Sequence, residues 1–192
     1  MQSEVLERYN ALKSFVVNRK EQFHNLINFM EKETAWLTAP ASTKYHLCEE
    51  GGLLEHSVNV AETMLKIKAA IVPHITDESC VIVSLLHDLG KAGMPGNPQY
   101  LVNEPTERQK QFSYPASTPY SFNTDLIYLS VPVRSIYLAL QLISLTEEEV
   151  QAIVYHDGQY VEDNRSSAMH EEPLTLLLQY ADSWSGFVDE KQ

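Results

Sequence analysis

The stretch VIVSLLHDLGK, residues 81–91, sets a histidine and an aspartate, His87 and Asp88, behind six residues of which only Ser84 is polar. The spacing predicts a helix from about Asp77, read as its cap, to Gly90 as its terminator. An ionised carboxylate in such a helix costs several kcal/mol unless something compensates it. A divalent cation is one compensator, because imidazole nitrogen and carboxylate oxygen are both good ligands. A buried His–Asp hydrogen bond serving only structure is the other, and an isolated pair does not decide between them.

Working outward, two more polar residues fall on apolar faces. His56 shares a helical stripe with Leu53, Val60, Met64, Ile67 and Ile71, after the glycine pair Gly51 and Gly52 and before Pro73. Asp182 follows Leu178 by one turn in a helix expected to open at Pro173 and to turn Leu174, Leu177, Leu178 and Ala181 inward. Separate helices each aiming metal-type donors inward is the arrangement of a site built inside a helical bundle.

GGLLEHS at 51–57, LLHDLGK at 85–91 and YAD at 180–182 resemble the HD superfamily of metal-dependent phosphohydrolases, whose ligand order is His, then His-Asp, then a distant Asp. The likeness spans about Pro40 to Ser185 apart from an insert, and the lead-in PASTKYH with GGLLEH is similar to the branch that holds HD-type 3′–5′ exoribonucleases. It implies an all-α HD-domain bundle and a metal bound by His56, His87, Asp88 and Asp182. Asp88 would be the bridge to any second ion. It further implies hydrolysis of a phosphate ester or anhydride, with a nucleotide as first choice, by metal-activated water. The motif does not distinguish Mn, Mg, Fe, Co, Ni or Zn. Exonuclease or phosphodiesterase action on short or cyclic nucleotides, a di-iron oxygenase, and a non-catalytic regulatory HD domain are the alternatives.

Other candidates are read one by one. Asp88, Lys91 and His156 form the expected catalytic set, Asp88 helping to deprotonate water and the other two stabilising phosphoryl charge. For Lys91 the competing reading is a surface lysine complementing a helix end, and for His156 a capping imidazole before Gly158. Lys44, His46, Lys91 and Arg134 are expected to contact substrate, Arg134 as a bidentate phosphate clamp. His170, in MHEEP, is expected on the surface.

The chain of 192 residues, 44% hydrophobic, is expected to form one domain: residues 1–39 as an N-terminal helical extension, 92–133 as an insert. A helix is expected from about Arg19 to Leu37, carrying Phe23, Leu26, Ile27 and Met30, another over about Arg134 to Ile143, and another from Thr146, with Glu149 completing a capping box, to Gly158. The insert holds Pro95, Pro98, Pro105, Pro115, Pro119 and Pro132 among aromatic residues. Short strand pairing is expected near Leu126 to Leu129, and its aromatics are expected to pack inside the loop or in a subunit contact more readily than to stack a nucleobase.

A net charge of −12 disfavours long nucleic acid, though local cations and a metal can still admit a small phosphorylated substrate. Two cysteines, Cys48 and Cys80, in no CxxC pair, give no disulfide scaffold or cysteine zinc site. With no apolar run of about 20 residues and no secretory leader pattern, the expectation is a cytoplasmic protein without membrane attachment. Homo-oligomerisation is left open. No GxxxxGK[ST] loop, GxGxxG turn or GxSxG elbow occurs.

Overall fold

The computed structural model describes residues 2–191 and is mainly helical. Helices α1 (Gln2–Lys13) and α2 (Lys20–Glu33) lead into α3 (Gly52–Ile71), the longest, and α4 (Asp77–Leu86). The insert carries strand β1 (Tyr100–Val102), the short α5 (Glu107–Gln111) and strand β2 (Tyr120–Phe122); α6 (Val131–Ala139), α7 (Glu147–Val154) and α8 (Pro173–Trp184) follow. Among the described residues no helix is long and apolar enough to cross a membrane.

Helix α3 is the axis of the molecule. One face of it meets α4, another α8, and α1 lies along a third. Leu53, Val60 and Met64 of α3 are fully buried with Ile82, Leu85 and Leu86 of α4 and Leu178 of α8. The N-terminal helices share this core: Tyr9 and Trp36 are buried in it, and the Trp36 indole N–H donates to the Tyr9 hydroxyl at 3.2 Å, which lets both polar tips enter.

Several boundaries differ from the expectation. Thr76, and not Asp77, caps α4, accepting from the Ser79 N–H at 3.0 Å; Asp77 stands in the first turn, where its charge suits the helix dipole. Helix α4 ends at Leu86, so His87 and Asp88 lie just beyond it, ahead of a 3-10 turn over Leu89–Ala92. Packing against α6 requires glycine in this turn. A Cβ on Gly90 would fall 2.3 Å from the Val131 carbonyl oxygen, so only glycine lets α6 approach, and Ser135 Oγ locks the contact by accepting from the Gly90 N–H and donating to the His87 carbonyl.

Helix α2 stops at Glu33, α6 runs earlier than expected, from Val131, and α7 keeps its Thr146–Glu149 capping box but ends at Val154. In the insert, β1 pairs antiparallel with β2 in the register Tyr100↔Phe122, Leu101↔Ser121, Val102↔Tyr120, while residues 126–129 form no strand. The aromatic and β-branched side chains of the paired segments suit a pleated ribbon. Of its aromatics, Phe112, Tyr114, Phe122 and Tyr128 are exposed and do not pack inside the loop, while Tyr100 and Tyr120 are half-buried.

Candidate metal centre

His56 stands in the second turn of α3, and two glycines set that helix's start. Gly51 adopts φ +83°, and a Cβ on Gly52 would meet the Leu47 carbonyl oxygen at 2.1 Å. Helix α8 brings Asp182 opposite. Its end loosens into a π turn over Ser185–Asp189, after which Glu190 returns to α3.

The four residues expected as ligands come together. His56 Nε2 lies 3.0 Å from Asp182 Oδ1 and 3.8 Å from Asp88 Oδ2; His87 Nε2 lies 3.6 Å from Asp88 Oδ2, 4.0 Å from Asp182 Oδ1 and 3.4 Å from His56 Nε2. His156 joins them, its Nε2 3.5 Å from Asp88 Oδ1. Two overlapping triads, His56–His87–Asp182 and His87–Asp88–His156, each hold one donor atom per residue within 4.8 Å of the others. Donors bound to one ion at about 2.0–2.2 Å sit roughly 3–4.4 Å apart, so the spacing fits a cation.

The ring orientations fit as well. The His87 and His156 Nδ1 atoms face backbone carbonyls, Ser84 at 2.7 Å and Ile153 at 2.8 Å, and so donate to them. The His56 Nδ1 faces Glu190, 3.0 Å from Oε2 and 3.2 Å from Oε1, and Asn59 Nδ2 donates to Glu190 Oε1 at 2.8 Å. Each histidine therefore anchors its Nδ1 outside and turns its Nε2 inward, the tautomer a metal ligand needs. His156 serves both readings made of it: one nitrogen satisfies a carbonyl at the end of α7 and the other faces the site.

The charges are set by this packing. Burial opposes a proton on His56, but hydrogen bonds to Asp182 and Glu190 push it up to about 10; His156 is likewise pushed up to about 9 by Asp88 and Asp157 against burial. Burial takes His87 the other way, down to about 4, despite Asp88. Against burial, Lys91 and the histidines hold Asp88 well below the usual carboxylate range, and the His56 hydrogen bond does the same for Asp182. Protons on the His56 and His156 Nε2 atoms compete with a cation for the same lone pairs, so metal binding at this centre would release them.

The His87 ring is fully buried, and its Nε2 lies 3.4 Å from His56 Nε2 and within 4.0 Å of an oxygen of Asp88 and of Asp182. These inward-turned nitrogens and oxygens could hold a divalent cation.

Of the remaining expected contacts, Lys91 lines the pocket with Nζ bound to Asp88 Oδ2, and His46 also lines it, its ring 5.0 Å from that of His56. Lys44 is exposed and does not line the pocket, and His170 is on the surface. Arg134 is no phosphate clamp for this pocket. It is 2% exposed, its guanidinium bonded to the Gln99 side chain and to the Ile127 carbonyl, a structural tie between α6 and the insert.

Glu190, Asn59 and Asp157 were not anticipated. Glu190 lies in VDEKQ, which reads as a solvated tail, and only the π turn reveals its burial. The pocket has a volume of about 850 Å3, and Tyr45, Tyr160 and Phe187 stand exposed at its rim. Comparisons of the chain with models of known families, with curated proteins and with solved structures return no match.

Proposed function

We propose that this chain is a divalent-metal-dependent phosphohydrolase of the HD class, with His56, His87, Asp88 and Asp182 as ligands and His156 beside them. Two overlapping triads that share His87, with the histidines anchored at Nδ1 and turning Nε2 inward, carry the reading. A divalent cation supplies Lewis-acid polarisation of a phosphoryl oxygen and acidification of water at such a centre.

The chain's own groups complete the machinery. Asp88 is held from both sides, by Lys91 Nζ at Oδ2 and His156 Nε2 near Oδ1, so its carboxylate is fixed in orientation. His156 turns Nε2 into the pocket beside Asp88, and Lys91 brings positive charge into an otherwise acidic protein, so both can stabilise charge on phosphoryl oxygens. The mixed nitrogen and oxygen donors do not single out one metal.

The test is elemental analysis of anaerobically purified protein, then a phosphate-release screen over phosphomonoesters, anhydrides, cyclic nucleotides and short oligonucleotides with the metal found. Stoichiometric metal and release from one class is the expected result. Metal-free protein that neither takes up metal nor releases phosphate ends the reading, and oxygen consumption with bound iron replaces it by a di-iron oxygenase.

Glu190 gives a second check. It orients His56 from outside the metal shell, and loss of such a partner typically weakens metal affinity about 10–100-fold. Glu190→Ala is expected to show a loss of that size by chelator competition, and Glu190→Gln, which keeps an acceptor for Nδ1, a smaller one. Equal affinity in all three proteins would mean that Glu190 only packs.

A further inference from the structure

A second cavity, also about 850 Å3, lies between the insert's last segment and the end of α7, and Val131 and Asp157 line both it and the His/Asp pocket. We propose that this second cavity receives the nucleoside part of a substrate whose phosphate enters the first, an assignment that rests on the phosphohydrolase reading and makes its substrate a nucleotide.

Three observations support it. The volume lies within the range of small-molecule pockets, about 300–1,000 Å3, and its position beside the candidate centre suits one ligand spanning both. Its walls carry apolar and aromatic side chains that the chain leaves in water: Tyr128 is 89% exposed, Ile127 85%, and Phe122 and Val133 are also exposed. The third observation is polar. Arg134 lines this cavity, and its Nε is buried with no acceptor among the described residues, although its other nitrogens are bonded.

A buried donor without an acceptor is costly, and a ligand that brings one relieves it. A nucleobase joins a flat π face for Phe122 or Tyr128 to ring nitrogens and carbonyl oxygens for such a donor. A sugar phosphate lacks the face, and an acyl chain lacks the acceptors.

The cavity and the hydrolytic site can be read separately. Binding of the four common ribonucleosides to the full chain, followed by calorimetry, reports on the cavity alone. Phosphate release from their 5′-monophosphates and from ribose 5-phosphate reports on both. We expect at least one nucleoside to bind, and its monophosphate to be preferred over ribose 5-phosphate about tenfold or more, the scale of one stacked base.

Val133→Trp, which fills the cavity, and Tyr128→Ala, on an exposed loop where folding is not at stake, should both erase that preference. Turnover of ribose 5-phosphate should stay unchanged. Nucleotides and ribose 5-phosphate treated alike, with both variants silent, would overturn the inference and leave hydrolysis standing. Nucleoside binding lost in both variants, with no phosphate released from any ester, would uphold the cavity and overturn the hydrolytic reading.

Discussion

Asp88→Ala is expected to reduce metal content to background and abolish phosphate release. Asp88 faces four neighbours in the cluster: Oδ2 faces Lys91 Nζ, His87 Nε2 at 3.6 Å and His56 Nε2 at 3.8 Å, and Oδ1 faces His156 Nε2 at 3.5 Å. Removing it takes the only carboxylate from the His87–Asp88–His156 triad and leaves two imidazoles there. It also leaves Lys91 and His156 without their main counter-charge in a buried place. Metal that binds only the folded protein raises its melting temperature, so wild type should melt higher with added metal and the variant should not. Elemental analysis, phosphate release and paired melting curves measure the three effects. Wild-type turnover in a folded Asp88→Ala protein would remove the proposed centre.

What the sequence could and could not disclose follows from the range of the interactions. His56 and Asp182 were legible because helical periodicity puts them on stripes with Leu53 and Leu178, and a polar residue on a buried stripe needs a reason. The Thr146–Glu149 capping box was legible because it is closed within four residues. Arg134 misled because a guanidinium looks available until its acceptors are known: Gln99 comes from the far end of an irregular insert, and Ile127 from a loop with no periodicity to place it. Glu190 was hidden for a related reason: its partner His56 is 134 positions away, and a π turn is not written in hydrophobic periodicity. The end of α4 was misplaced because Gly90 was read as its terminator, whereas the helix ends at Leu86 and Gly90 sits in the following 3-10 turn, packed against Val131.

Arg19→Met is expected to cost about 3–5 kcal/mol of stability, the usual effect of breaking a buried ion pair from one side. Arg19 ties three parts of the chain together between α1 and α2. Its Nε donates to Glu78 Oε1 at 2.8 Å, and its terminal nitrogens donate to the two Glu149 oxygens at 2.6 and 2.7 Å. Glu149 is fully buried and Glu78 nearly so, so neither carboxylate can turn to water once the guanidinium is gone. Glu78 keeps the N–H groups of Val17 and Asn18, and Glu149 keeps its cap to Thr146, yet both retain negative charge in a low-dielectric place. At about 2–4 °C per kcal/mol for a chain of this size, the melting temperature should fall by roughly 10 °C.

The pH dependence identifies the cause. Burial favours the protonated form of Glu78, but Arg19 and the two backbone N–H groups outweigh it and hold the carboxyl below its ordinary value of 4.5. A carboxyl depressed in the folded state contributes fully above its unfolded pKa, and that contribution is lost as pH falls through the folded one. Without Arg19 the same carboxyl takes up its proton at higher pH, so the variant is relieved by acid sooner than wild type is weakened. The stability gap between the two, from urea denaturation, should be widest near about pH 7, begin to narrow before the pH reaches about 4.5 as the variant's carboxyl protonates, and narrow further below it as wild type weakens. A gap that keeps its size into acid would assign the loss to packing of the arginine stem, and a gap near zero at neutral pH would show that these ion pairs contribute nothing.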